Sequence, residues 1–267
     1  MLLAVDIGNT NVVFGLYDGT TLTRTFRVST VRTRTADEYG VLLHQMMTLH
    51  GLPPGRVEAA IVASVVPPLT DVMSDAIRHA FAREPLVVGP GVKTGISVLY
   101  DNPRDVGADR IVNAVAAFER FRAAVIVVDF GTATTFDCVS AKAEYLGGII
   151  VPGIMVSLDG LLGSTAKLIP VEIAEAPRVV GQNTAHAIQS GIVNGYASLV
   201  DGLIEKIVAE LGFECQVIAT GGLAPLIAKH TKALELVDEN LTLEGLRIIF
   251  DKNRRTEAPS PRPRATR

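Results

Sequence analysis

The sequence has no tryptophan, only two cysteines, and aromatic side chains make up just 5% of it. Cys138 and Cys215 lie in strand-like apolar runs, which suits reduced core thiols of a cytosolic protein rather than a disulfide framework. No His/Cys grouping has zinc spacing; His44, His50, His79, His186 and His230 are scattered along the chain. No apolar run reaches the roughly 18 residues of a membrane-spanning helix, and the longest, Gly147 to Leu158, is broken by Pro152. The N-terminus has no basic flank and meets Asp6 early, so a secretory signal is not expected and a cytoplasmic location is. A net charge of −3 with so few aromatics disfavours a nucleic-acid surface. The lysine-bearing phosphate loop G-x-x-x-x-G-K-[ST] and the protein-kinase signature are both missing.

What remains is a chain of 267 residues, 48% hydrophobic and 20% charged, with mean hydropathy +0.33. A chain of this length buries about 70–75% of its unfolded surface and needs no covalent staple. Leu2 to Gly8 reads as a strand; Asn9-Thr10-Asn11 turns it, Val12 to Tyr17 returns, and Asp18-Gly19 opens a hairpin into a third strand, Leu22 to Val28. Thr35-Ala36-Asp37-Glu38 fits a capping box for a helix running to about His50, with Gly51 as a left-handed stop. A strand at Ala59 to Val65, a helix at Leu69 to Arg83 and a strand at Leu86 to Val88 follow, then an irregular stretch to Pro103. Val106 to Phe121 has helical spacing, and Ala124 to Asp129 is the continuously apolar strand of a sheet covered on both faces. Thr134 to Val139 and Tyr145 to Val151 follow as antiparallel partners. Helices are expected at Ser157 to Lys167, Thr184 to Leu211, Pro225 to His230 and Leu243 to Lys252, with a strand at Gln216 to Thr220. The arginine- and proline-rich residues 251–267 are expected to be a disordered tail.

Two segments repeat. Asp6-Ile7-Gly8-Asn9-Thr10-Asn11-Val12-Val13 and Asp129-Phe130-Gly131-Thr132-Ala133-Thr134 share Asp-x-Gly, then hydroxyl or amide side chains, then a strand. The expectation is two similar α/β domains, residues 1–103 and 104–250, facing each other across a cleft. Glycine lets backbone N–H groups approach phosphate oxygens, and Asn and Thr add donors. An aspartate beside a polyphosphate makes sense mainly as a cation ligand. Ordinary hairpin turns would also use Asp and Gly; the matched pair favours phosphate binding. Gly221-Gly222, after a strand and before a helix, could let a nucleobase or ribose lie against the backbone, or could be a tight turn.

These loops resemble those of the superfamily of sugar kinases, acetate kinase, actin and heat-shock ATPases. With Tyr100-Asp101-Asn102-Pro103, Gly107-Ala108-Asp109-Arg110 and Gly181-Gln182-Asn183-Thr184, the chain from Met1 to about Asn253 resembles type III pantothenate kinases. The resemblance implies two ribonuclease H-like domains of the actin-like ATPase fold, and ATP-dependent phosphorylation of the primary hydroxyl of pantothenate, the first step towards coenzyme A. It also implies magnesium, potassium or ammonium as a monovalent cation, and a homodimer. Asp159-Gly160-Leu161-Leu162-Gly163 departs from the family's more helical run, its glycines weakening a helix by about 1 kcal/mol each.

The resemblance extends to roles. Residues Asp6, Ile7, Gly8, Asn9, Thr10, Asn11, Val12 and Val13, with Thr132, Gly221 and Gly222, are expected to bind ATP, Asp6 holding magnesium and Asp129 the monovalent cation. Tyr100, Gly107, Ala108, Asp109, Arg110 and Thr184 are expected at pantothenate, with Asp109 as general base and Arg110 on the substrate carboxylate. Read without the family, Asp109 is more readily a helix-start acid with Arg110 as its surface partner, a preference that the resemblance reverses; Tyr100 is equally a half-buried core residue, and Thr184 a helix cap. The apolar helix 184–211, with Gly191 and Gly195 four apart, suits burial within one chain or against a second copy equally; the homodimer that the resemblance implies favours the second copy, each site then taking Asp109 from one copy and Thr184 from the other. A kinase for another small hydroxy acid, or a regulatory relative without activity, are the competing readings.

Overall fold

Leu2-Leu3-Ala4-Val5-Asp6-Ile7 carries apolar side chains on both parities, as a strand covered on two faces must. In the computed structural model, which describes residues 1–165 and 168–254, these residues form β1 (Leu2–Ile7) at the centre of a five-stranded sheet. On one side, β2 (Asn11–Asp18) and β3 (Thr21–Ser29) continue antiparallel. The Thr35–Glu38 capping box forms: the Thr35 N–H donates to Glu38 Oε2 at 2.7 Å and the Glu38 N–H to Thr35 Oγ1 at 3.3 Å. It starts α1 (Ala36–Leu49), and Gly51 follows with φ +67°. On the other side of β1, β4 (Ala59–Ser64) pairs parallel, and after α2 (Pro67–Phe81) β5 (Pro85–Val87) joins β4. The sheet order is therefore β3-β2-β1-β4-β5. Tyr39, Leu43 and Met47 of α1 and Leu69, Met73 and Ile77 of α2 bury Val5, Ile7 and Phe14 on one face.

By contacts the chain divides into two units: residues Met1–Gly95, Arg104–Val115 and the segment from Thr242 onward; and Ile96–Pro103 with Ala116–Leu241. The second unit begins with β6 (Ser97–Val98), and a 3-10 turn at Pro103–Asp105 precedes α3 (Ala108–Phe121). Its sheet is built on β7 (Val125–Phe130), antiparallel to β8 (Ala133–Val139), which pairs with β9 (Glu144–Pro152). Then come α4 (Ile154–Gly163), α5 (Thr184–Leu211), β10 (Gln216–Thr220), α6 (Ala224–Ala228) and β11 (Leu236–Val237). The order β9-β8-β7-β10-β11 reproduces β3-β2-β1-β4-β5, with β6 added beside β9. The sequence repeat is a repeat of topology. Val193, Ala197, Val200, Ile204 and Ile207, one stripe of α5, bury Ile126 and Val128 of this sheet.

The last helix, α7 (Leu241–Arg254), lies with the first unit. Glycines allow its close approach: a Cβ on Gly15 would stand 2.9 Å from Leu243 Cδ1, and one on Gly245 2.1 Å from Val112 O of α3. Thr242 Oγ1 donates to Asn113 Oδ1 at 2.7 Å. α7 and the first half of α3 thus attach to the face of the β1 sheet opposite α1 and α2.

Several element bounds differ from expectation. α3 opens at Ala108 rather than Val106, because the 3-10 turn occupies the residues before it. α4 begins three residues before Ser157, directly after Gly153, and ends at Gly163; of the expected span to Lys167, residues 166–167 lie outside the described residues. α6 is shorter than Pro225 to His230, and the irregular stretch holds the edge strand β6. Residues 251–254, assigned to the tail, end α7, where Asn253 and Lys93 exchange hydrogen bonds of 3.1 and 3.0 Å; 255–267 lie outside the described residues. Cys215 precedes β10 instead of lying in it, and burial pushes its thiol above the ordinary range.

Candidate active site

In the first unit, the strand-to-strand turn after β1 is fastened from three sides. The Gly8 N–H donates to Asn11 O at 2.9 Å; Thr30 donates from Oγ1 to Gly8 O at 2.7 Å and from its N–H to Thr10 O at 2.9 Å. The Val65 N–H reaches Ile7 O at 3.0 Å. With the backbone fixed, the side chains of Asn9 and Thr10 face solvent, as donors for an incoming ligand must. Asp6 stands opposite Val13 and two residues beyond Ala4, on the sheet face that carries α7.

The segment Gly107-Ala108-Asp109-Arg110 starts α3 beside this turn. A Cβ on Gly107 would stand 3.5 Å from Val65 Cγ1, and Val65 is hydrogen-bonded to Ile7, so the two segments share one end of the sheet. The same Cβ would be 2.5 Å from Asp109 Oδ1, so a side chain at 107 would displace that carboxylate from its present position. Asp109 Oδ1 accepts from the Arg110 N–H at 2.8 Å. Burial pushes the Asp109 carboxyl above the ordinary carboxylate range, opposed by that hydrogen bond and by the Arg110 charge. Arg110 itself is 8% exposed. The first unit therefore brings together Asp6, the Asn9–Asn11 turn, Asp109 and Arg110. Sequence reasoning missed Arg32, whose Nη2 donates to Asn9 Oδ1 at 3.3 Å; no spacing distinguishes it from Arg27 or Arg34.

In the second unit, the turn after β7 has the same form: Asp129 stands opposite Thr135, and the Gly131 N–H donates to Ala133 O at 3.0 Å. The Gly153 N–H donates to Thr132 O at 3.1 Å, and a Cβ on Gly153 would be 2.2 Å from that oxygen, so the start of α4 is pressed onto the turn. Gly221, with φ +93°, backs onto the aspartate: a Cβ there would lie 2.6 Å from Phe130 O and 2.8 Å from Asp129 Oδ1. Only glycine can therefore pass this close behind Phe130 and Asp129. Asp129, Thr132 and Gly221 are thus brought together, with Gly222 next along the chain.

Tyr100 follows β6, half-exposed. Its ring lies 6.3 Å from that of Tyr145 at 60°, and the Leu99 N–H donates to Tyr145 O at 2.9 Å. Tyr145 is buried, its hydroxyl donating to Asp137 Oδ1 at 2.6 Å. Thr184 is not brought to the β7–β8 turn. Tyr196 donates to Pro152 O at 2.8 Å, beside that turn, and α5 recedes about 18 Å from Tyr196 to Thr184 at ~1.5 Å per residue. Thr184 is not the helix cap either: Asn183 is, its Oδ1 accepting from the His186 N–H at 2.8 Å. Thr184 instead lines an open groove of about 560 Å³ with Leu161, Ala187, Gly191 and Ile192. Among the described residues no three His, Cys, Asp or Glu side chains converge as a metal-holding group, and no helix is long and apolar enough to cross a membrane.

The family model described as type III pantothenate kinase matches residues 2–206. A protein of that name from Anaeromyxobacter sp. (strain K) is 58% identical over 254 residues, covering 95% of this chain and all of the relative; one from Myxococcus xanthus is 55% identical, covering 95% and 99%. Among solved structures, the activator of the 2-hydroxyisocaproyl-CoA dehydratase from Clostridium difficile with bound ADPNP superposes with TM-score 0.55 at 11% identity, over 97% of this chain and 98% of that one. At that identity the likeness shows the fold alone, the actin-like ATPase and sugar kinase fold.

Proposed function

The chain belongs to the type III pantothenate kinase family, and from that premise we propose that it transfers the γ-phosphoryl group of ATP to the primary hydroxyl of pantothenate, giving 4'-phosphopantothenate, the first step of coenzyme A synthesis. The observation that carries the site assignment is Asp109. Its carboxylate is held at a helix start by the Arg110 N–H, in a space that Gly107 leaves open, and burial favours its protonated form. A carboxylate so placed takes the proton of an alcohol as the phosphoryl group arrives. The transition state is loose, so positioning and charge stabilisation contribute more than proton removal.

The remaining roles follow from chemistry. Arg110, adjacent and mostly buried, suits the pantothenate carboxylate through a bidentate contact. Tyr100 offers a hydroxyl and a ring face to the substrate. Asp6, Gly8, Asn9, Thr10 and Asn11 serve the ATP phosphates, with Ile7, Val12 and Val13 forming the strands that carry them; Thr132, Gly221 and Gly222 are assigned to ATP by the family resemblance. Asp6 is a hard oxygen donor fitted to magnesium, which enters with the nucleotide because no all-protein cage is present among the described residues. Asp129, a hard carboxylate donor at the matching turn, suits potassium or ammonium. These cations would neutralise phosphate charge.

A homodimer with shared sites is supported by three observations. Thr184 lies far along α5 from the β7–β8 turn of its own chain, and the α5 face bearing Ala187, Gly191, Gly195 and Ser198 is small and exposed. Met155, Val156 and Leu161 of α4 are large, apolar and exposed as well. The occupant we assign is a second copy of this chain, and the location is cytoplasmic.

Coupled ATP turnover with pantothenate against a panel of hydroxy acids and sugars tests the substrate; another acceptor outpacing pantothenate would remove this reading. For the cation, potassium and ammonium should support turnover while sodium or choline at equal ionic strength should not, a comparison that holds general screening constant. Equal rates in all four salts would take the role from Asp129.

A further inference from the structure

We propose that Arg32 binds the polyphosphate of ATP, standing in for the lysine that the phosphate loop of this chain lacks; the proposal rests on the kinase reading only for the identity of the nucleotide. A tetra-anion needs cations. The Asp6–Asn11 turn supplies backbone and amide donors but no positive side chain. Arg32 supplies one from a neighbouring turn. That turn is built: Thr30 is tied to Gly8 O and Thr10 O at 2.7 and 2.9 Å, the Arg34 N–H closes onto Val31 O at 3.2 Å, and the capping box of α1 fixes Thr35. Arg32 is therefore carried at the tip of a short loop whose two ends are fastened, one of them to the phosphate turn itself.

The two nearby arginines are engaged differently. Arg34 lies over the Tyr39 ring, 5.2 Å from its centroid, and so is committed to the α1 core. Arg32 is exposed and donates through Nη2 to Asn9 Oδ1 at 3.3 Å, while no carboxylate pairs with it among the described residues. An exposed arginine that faces a neutral amide, rather than an acid, keeps most of its five donors for another acceptor. Its bond to Asn9 also orients that side chain, because an amide whose oxygen accepts from Arg32 presents its NH₂ group elsewhere. Arg32 would thus contact phosphate through its own fork and aim the Asn9 donors at the same ligand.

The test uses the full chain and the variants Arg32→Ala, Arg32→Lys, Asn9→Ala and the double Arg32→Ala/Asn9→Ala. ATP and adenosine binding are measured at equilibrium without acceptor, then the KM values for ATP and pantothenate. A charge-assisted contact predicts a loss of ATP affinity of about 10–100-fold in Arg32→Ala, with adenosine affinity and the pantothenate KM unchanged. Arg32→Lys should recover part of the loss, and the loss should persist in the Asn9→Ala background. An ATP affinity within twofold of wild type overturns the proposal. So does an equal loss for adenosine, a lysine no better than alanine, or a loss that vanishes once Asn9 is alanine, which would leave Arg32 as a prop for Asn9 alone. Nucleotide binding without acceptor does not depend on which alcohol is phosphorylated, so failure with pantothenate would leave the Arg32 result standing.

Discussion

At residue scale the chemistry gathers on Asp109, whose environment opposes its own charge. Its carboxyl binds its proton more tightly in the folded chain than the ordinary value of 3.8. Between the ordinary and the folded values the native state holds more protons than the unfolded one, so stability falls as pH rises through that window and stays lower above it. Asp109→Asn should therefore lower turnover by about 10²–10⁴-fold while raising the urea midpoint at pH 7. That gain should disappear below about pH 3, where both states are protonated. Activity of the wild-type chain should show an acid limb above the ordinary carboxylate range. A folded Asp109→Asn variant with wild-type turnover would remove it as the base; a gain over wild type no larger at pH 7 than at pH 3 would contradict the burial argument.

At the scale of elements, the contact of α7 with α3 has no slack. A methyl group on Gly245 would stand 2.1 Å from a backbone oxygen of Val112, so Gly245→Ala has to move one helix and should cost about 1–3 kcal/mol. The Thr35 cap gives a scale for comparison: Thr35→Ala removes the capping box of α1 and should cost about 1 kcal/mol. Denaturant midpoints of the two variants check the order, and a Gly245→Ala chain as stable as wild type would mean that α7 is not packed against α3 as described. Because Asp109 stands in the first turn of α3, the alanine should also lower turnover.

For the whole molecule the question is whether one chain makes a complete site. Asp109→Asn and Thr184→Ala are each expected to be inactive alone. Co-expressed, half the dimers mix at random; in a shared-site dimer one site collects both defects and the other none. About a quarter of wild-type activity should return. With mixed dimers confirmed by mass, activity no higher than that of the separate mutants would refute the shared site.

The sequence by itself determined the elements and the repeat, because both are local. Asp6-Ile7-Gly8 and Asp129-Phe130-Gly131 are apolar strands ending abruptly in polar turns. The 28-residue α5 was legible to its bounds from its run of apolar residues, while its caps, Asn183 and Gly212, are given by the structure. Local signals could not say what each element packs against. That α7 belongs with the first unit depends on Gly15 and Gly245, which look like ordinary glycines until a helix lies on them. β6 and β11 are two residues each, too short for any periodicity, and exist only because a neighbouring strand offers hydrogen-bonding groups. The same holds at the site. Asp109 and the two aspartate turns stand in recognisable motifs. Arg32, by contrast, is one arginine among several, and only the pairing of β2 with β3 and the fastening of Thr30 bring it to Asn9. Sequence spacing fixes what a residue can do, whereas its partner across the sheet is chosen by packing that joins positions far apart in the chain.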